Sequence, residues 1–130
     1  MLVLTIRTDN PEAEVGLFED ETQLAHETWH AHRELSKTLH TKIKQLLEGQ
    51  GKTLTDLGGI VCFQGPGSFT GLRIGLTVAD ALMYGLHIPI VATMEDDWIR
   101  KGIERLRAGE DDRIALPHYG ADVHITQQKK

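Results

Sequence analysis

Ile60-Val61-Cys62-Phe63-Gln64-Gly65-Pro66-Gly67-Ser68-Phe69-Thr70-Gly71-Leu72-Arg73-Ile74-Gly75 is the stretch that decides how this chain is read. Its first four residues form a continuous apolar run, the pattern of a central strand covered on both faces. Gly65-Pro66-Gly67 breaks the run. Ser68 is then placed to cap the first free N–H groups of a helix, and apolar residues recur at helical spacing as far as Leu86. A buried strand therefore turns sharply into a long helix over residues 68–86.

Working outward, Leu2-Val3-Leu4-Thr5-Ile6 is a short bounded apolar run and reads as a buried strand. Thr8-Asp9-Asn10-Pro11 is a turn, because Asp, Asn and Pro each favour one. Val15-Gly16-Leu17-Phe18 is a second strand, Asp20-Glu21 a tight turn, and residues 22–31 a third strand, which together make an antiparallel meander. The period then changes. Leu35, Leu39, Ile43, Leu46 and Leu47 mark one face of a helix over residues 33–48, stopped by Gly49 and Gly51. Residues 53–57 give one short helical turn. Ile88-Pro89-Ile90-Val91-Ala92 is the next strand, with proline near its start. Residues 95–107 are the last clear helix, with acids at its start and Arg105 and Arg107 at its end, as the helix dipole favours. Ile114-Ala115-Leu116 reads as a further short strand, and residues 117–130 are too polar for a core of their own.

Three strands, helix, strand, helix, strand, helix is the order of a ribonuclease-H-like lobe of the actin and sugar-kinase class. The expected fold is therefore α/β: a mixed five-stranded sheet in the order 3-2-1-4-5 with helices on both faces. The lobe is expected to occupy residues 1–108, with 109–130 as a C-terminal extension or tail.

Composition narrows the function. The length of 130 residues suits one domain, and 40% apolar residues give it a core. A formal net charge of -5 excludes tight independent binding to nucleic acid, which needs a basic face. A single cysteine, Cys62, excludes an internal disulfide and fits a reducing compartment. With neither a signal pattern nor an apolar run of membrane-spanning length, a cytoplasmic protein is expected.

The glycine-rich turn leaves two readings open. A strand-to-helix turn can cradle a phosphate on the helix N-terminus. It can equally serve only to pack strand and helix closely. Gly65, Gly67 and Gly71 fit neither the lysine-containing phosphate loop nor G-x-G-x-x-G. The helix that follows has material for two buried faces. Gly71, Gly75 and Ala79, spaced by four, line a stripe with almost no bulk. Leu72, Leu76, Leu82, Met83 and Leu86 form a broad apolar surface, and Arg73, Thr77, Asp80 and Tyr84 a narrower polar one. The stripe fits close approach of another helix, from this chain or from a second subunit. His26, His30 and His32 share parity on an extended strand, but a zinc site needs further converging ligands. No metal site is expected, and Cys62 reads as a core residue.

The run from Gly65 to Gly75 resembles the hallmark of the TsaB family, also called YeaZ. The resemblance extends over about residues 1–108. It implies a non-catalytic subunit that binds a TsaD-type protein, with a TsaE-type ATPase, to support threonylcarbamoyl transfer to an adenosine of tRNA. It implies that the first two helices pair with the partner's. The residues so implicated are Leu35, Leu39, Ile43, Gly71, Leu72, Gly75, Leu76, Ala79 and Met83. Gly65, Pro66, Gly67, Ser68, Phe69, Thr70 and Arg73 form the motif loop. Homodimerisation through the same helices is also implied, with no cofactor in isolation and ATP or ADP at the partner interface. The chain departs from the family in three ways. Arg7 stands where many members have an acid, Leu35 where many have histidine, and most of a second lobe is expected to be absent. Two rival readings are a small nucleotide-binding enzyme using the 65–71 loop and a homodimeric regulator unrelated to tRNA.

Overall fold

The computed structural model describes residues 1–30, 34–66 and 69–116. Its five strands are β1 (Leu2–Arg7), β2 (Glu12–Glu19), β3 (Thr22–His30), β4 (Leu57–Phe63) and β5 (Ile90–Thr93). They form one sheet in the order β3-β2-β1-β4-β5. β1–β2 and β2–β3 pair antiparallel, while β1–β4 and β4–β5 pair parallel, as the predicted order requires. The helices are α1 (Leu35–Gly49), α2 (Phe69–Leu86) and α3 (Trp98–Arg107).

Strand alternation splits the core in two. Leu2, Leu4 and Ile6 of β1 point to the side covered by α1 and α2, and join Ile60, Cys62 and Ile90 there. Val3 points to the other side, with Val61, Phe63 and Val91 under Trp98, Ile103 and Leu106 of α3. Phe63 and Trp98 meet edge to face at 5.7 Å between ring centroids. Gly102 lets α3 settle on β4: a Cβ there would lie 2.2 Å from Val61 Cγ1. Leu35, Leu39, Ile43, Leu46 and Leu47 are the buried residues of α1, the five positions that its periodicity selects.

Several boundaries differ from expectation. β2 and β4 are longer than their apolar runs because the sheet ladder extends pairing beyond the core-facing residues. α3 starts at Trp98, not at residue 95, with Glu95 at φ 78 in the preceding turn. The carboxylates of Glu95 and Asp97 pair with Lys101 instead. Residues 114–116 form no strand; they belong to a strap that leaves α3 and crosses the outer edge of β5. Ala115 is buried, and its N–H donates to Asp80 Oδ1 of α2 at 2.7 Å. Gln64 Nε2 donates to Leu116 O at 3.1 Å. Ala31, His32 and Arg33, and residues 117–130, lie outside the described residues.

Candidate functional site

Two places can carry function: the carboxyl ends of β1 and β4, where α2 begins, and the outward face of α2. Open α/β sheets bind ligands at the first kind of place. Gly65 and Pro66 lead out of β4 there. Gly67 and Ser68 lie outside the described residues, as does the side chain of Phe69, so the cap expected from Ser68 does too.

The motif helix is docked by a residue that the sequence reading passed over as part of a turn. Thr8, directly after β1, is 2% exposed and donates its Oγ1 hydrogen to Gly71 O at 2.7 Å. A Cβ on Gly75 would sit 2.1 Å from the same Thr8 Oγ1. Ala79 is fully buried in the core that α1, α2 and the sheet share. Gly75 therefore lets the helix close on Thr8, at the end of β1 of its own chain. Leu72 and Leu76 follow it inward, as do Leu35, Leu39 and Ile43 of α1, all at 5% exposure or less. Met83 is half-buried against the same core. The only warning in the sequence was that glycines four apart need a close neighbour, and nothing local says whether that neighbour is a helix or a strand end.

What α2 turns outward is a different set. Thr70, Arg73, Thr77, Ala81, Tyr84 and Gly85 are exposed, and Ile74 is half-buried. Tyr84 is 79% exposed, and nothing lies within 4 Å of a Cβ built on Gly85. This face is small and mildly apolar, with one aromatic side chain and one cation.

Beside Thr8, Arg7 is held on two sides. Its Nε and Nη2 donate to the two carboxylate oxygens of Asp9 at 2.7 and 3.2 Å, and its guanidinium lies 3.9 Å from the centroid of the Phe63 ring. The bond to Asp9 raises the Arg7 pKa, with Glu14 and Asp96 adding to it. A ligand approaching the end of β1 meets a paired guanidinium, whereas metal-bound phosphate needs a carboxylate. The thiol of Cys62 is buried, which pushes its pKa well up and leaves it inert. His26 Nε2 lies 3.0 Å from Glu14 Oε1. Among the described residues no three candidate ligands converge on a metal position. A surface cavity of about 480 Å³ opens near Gln64, Thr93 and Met94. The cations that line it, Lys101 and Arg105, are already matched by Glu95 at 2.5 Å and Glu110 at 2.7 Å.

Asp80 is the ionisable group of α2 that faces inward, toward the strap. Partial burial pushes its carboxyl above the ordinary value of 3.8, against the opposing pull of the Ala115 N–H. The folded chain then binds the Asp80 proton more readily than the unfolded chain does, so this group's contribution favours folding as pH falls through the raised value toward 3.8. Asp80→Asn keeps the acceptor oxygen and removes the charge. It is expected to melt slightly higher than wild type at neutral pH, with the gap closing below pH 3.8; thermal melts at the two pH values check this.

The comparisons with known proteins agree with this geometry. A family model described as TsaD: tRNA N6-adenosine threonylcarbamoyltransferase matches residues 29–95, just over half of the chain. The tRNA threonylcarbamoyladenosine biosynthesis protein TsaB of Escherichia coli (strain K12) is 33% identical over 125 residues, covering 88% of this chain and 52% of that protein. Its counterpart in Bacillus subtilis (strain 168) is 35% identical over 92 residues, covering 71% and 40%. The solved structure of YeaZ from Pseudomonas aeruginosa superposes with a TM-score of 0.66 at 26% identity, covering 72% of this chain and 44% of that one. The chain thus spans about half the length of the curated relatives it matches. With the strand order, the docked motif helix and these matches in agreement, the chain belongs to the TsaB (YeaZ) family.

Proposed function

We propose that this chain is a non-catalytic partner subunit in making threonylcarbamoyladenosine on tRNA, and that it docks onto a TsaD-type transferase through the outward face of α2. The observation that carries the reading is the division of that helix. Leu72, Gly75 and Leu76 close the chain's own core, while Thr77, Ala81 and Tyr84 stand exposed on the outward side. Relatives named for this biosynthesis supply the pathway. A TsaE-type ATPase joins the assembly, a second copy can occupy the same face when the partner is absent, and ATP or ADP is held at the partner interface. The net charge of -5 leaves tRNA to the partner. The state of Arg7 and Cys62 supports an accessory role, since neither offers a free ligand or nucleophile. No helix among the described residues is long and apolar enough to cross a membrane, which accords with work in the cytoplasm.

The test is co-purification with the cognate TsaD-type subunit. Thr77→Arg with Ala81→Glu places bulk and charge on the outward face. Exposed substitutions of this kind change stability within about 0.5 kcal/mol. The double variant is expected to melt like wild type while losing at least about tenfold in affinity, roughly 1.4 kcal/mol. Undiminished binding by a folded double variant would rule the face out. Absence of any complex with wild type would rule out the subunit role.

A further inference from the structure

β5 is an edge strand of four residues, Ile90–Thr93, all buried and none charged. Edge strands of this composition invite pairing with another chain. The outer hydrogen-bonding groups belong to Ile90 and Ala92, and all four are satisfied. Asp112 N–H donates to Ile90 O at 2.8 Å, and Ile90 N–H donates to Asp111 Oδ1 at 3.2 Å. Ala92 N–H donates to Asp112 Oδ2 at 2.9 Å, and Arg105 Nη1 donates to Ala92 O at 3.2 Å. Three of these four partners are side chains. The clip is braced in turn: Arg105 pairs with Asp112 and, at 2.7 Å, with Glu110. The opposite edge, β3, has other protection. Its register with β2 shifts at Leu17/Phe18, and it carries Glu27, His26 and His30. β5 has nothing of the kind among its own residues.

We infer that residues 110–116 are an edge guard, and that the edge they cover is self-pairing: without the guard, β5 adds antiparallel to β5 of a second copy of this chain. The fit follows from the placement of the groups. Antiparallel pairing about Val91 sets Ile90 of one copy opposite Ala92 of the other. Residues so opposed exchange both N–H···O bonds. Two outward residues on each copy then match with no donor or acceptor left over. No charged side chain on either strand opposes the contact. The guard, with Arg105 of α3, supplies the same four bonds from within one chain, which keeps the sheet closed at this end.

The experiment uses the full chain, with mass by size-exclusion and light scattering and amide hydrogen exchange read alongside. Asp111→Ala with Asp112→Ala removes both carboxylates. The expected result is a concentration-dependent mass at least double that of wild type, with the Ile90 and Ala92 amides still protected by the new pairing. Adding Ile90→Pro deletes an outward donor and is expected to return the mass to that of wild type. A folded double variant with wild-type mass and fast exchange at Ile90 and Ala92 overturns the inference, as does association that survives Ile90→Pro. If the double variant does not fold, Asp111→Ala alone decides by the same readings, since it leaves the Asp112–Arg105 pair in place.

Discussion

Gly75→Leu is expected to destabilise the lobe itself, not merely to detach a partner from it. Even a Cβ at this position would lie 2.1 Å from Thr8 Oγ1 and 3.0 Å from Thr8 Cγ2. Thr8 has no room to retreat, being 2% exposed and bonded to Gly71 O. Overpacking a closed core costs about 1–3 kcal/mol and occasionally more, and leucine extends well beyond the Cβ. Domains hold only about 5–15 kcal/mol in total. A loss of Tm by circular dichroism is therefore expected, roughly 2–8 °C for each kcal/mol. Thr8→Ala in a Gly75→Ala background should recover part of it, because the clash and its relief share one pair of residues. A Gly75→Leu chain that melts like wild type would place this stripe at the surface.

Leu72→Ala carries the other large effect. Leu72 is 0% exposed in the core beneath α2. Truncating a leucine so placed costs about 2–5 kcal/mol through lost transfer energy and the cavity left behind. Denaturant titration is expected to show a lower midpoint with an unchanged slope. The contrast with Thr77→Arg and Ala81→Glu matters for any binding study of this family. A loss of complex caused by Leu72→Ala reports unfolding, whereas a loss caused by the outward pair reports contact.

The fold was legible because its signals are local and repeat. α1 could be read from five apolar residues at helical spacing, and β4 from one uninterrupted apolar run. The sheet order then followed from the order of elements. The face that α2 turns inward was not legible in the same way. A helix with apolar residues on two sides offers two solutions. The choice rests on Thr8, which is 63 residues from its hydrogen-bond partner Gly71. The role of residues 110–112 is hidden from the sequence for a related reason. Acids after a helix are ordinarily solvated, and only the position of β5 turns two of these carboxylates into acceptors for backbone N–H groups. The apolar Ile114 and Leu116 suggested a strand, yet both stand exposed on either side of buried Ala115.

The strap also sets a sequence of events in time. Ala92 precedes the carboxylate that receives its N–H by 20 residues. A ribosome adding about 5–20 residues per second makes that carboxylate roughly 1–4 s after the strand it covers. During each round of synthesis β4 and β5 can therefore be complete while their edge is still bare. Crowding of nascent chains on one message would place other bare edges within reach.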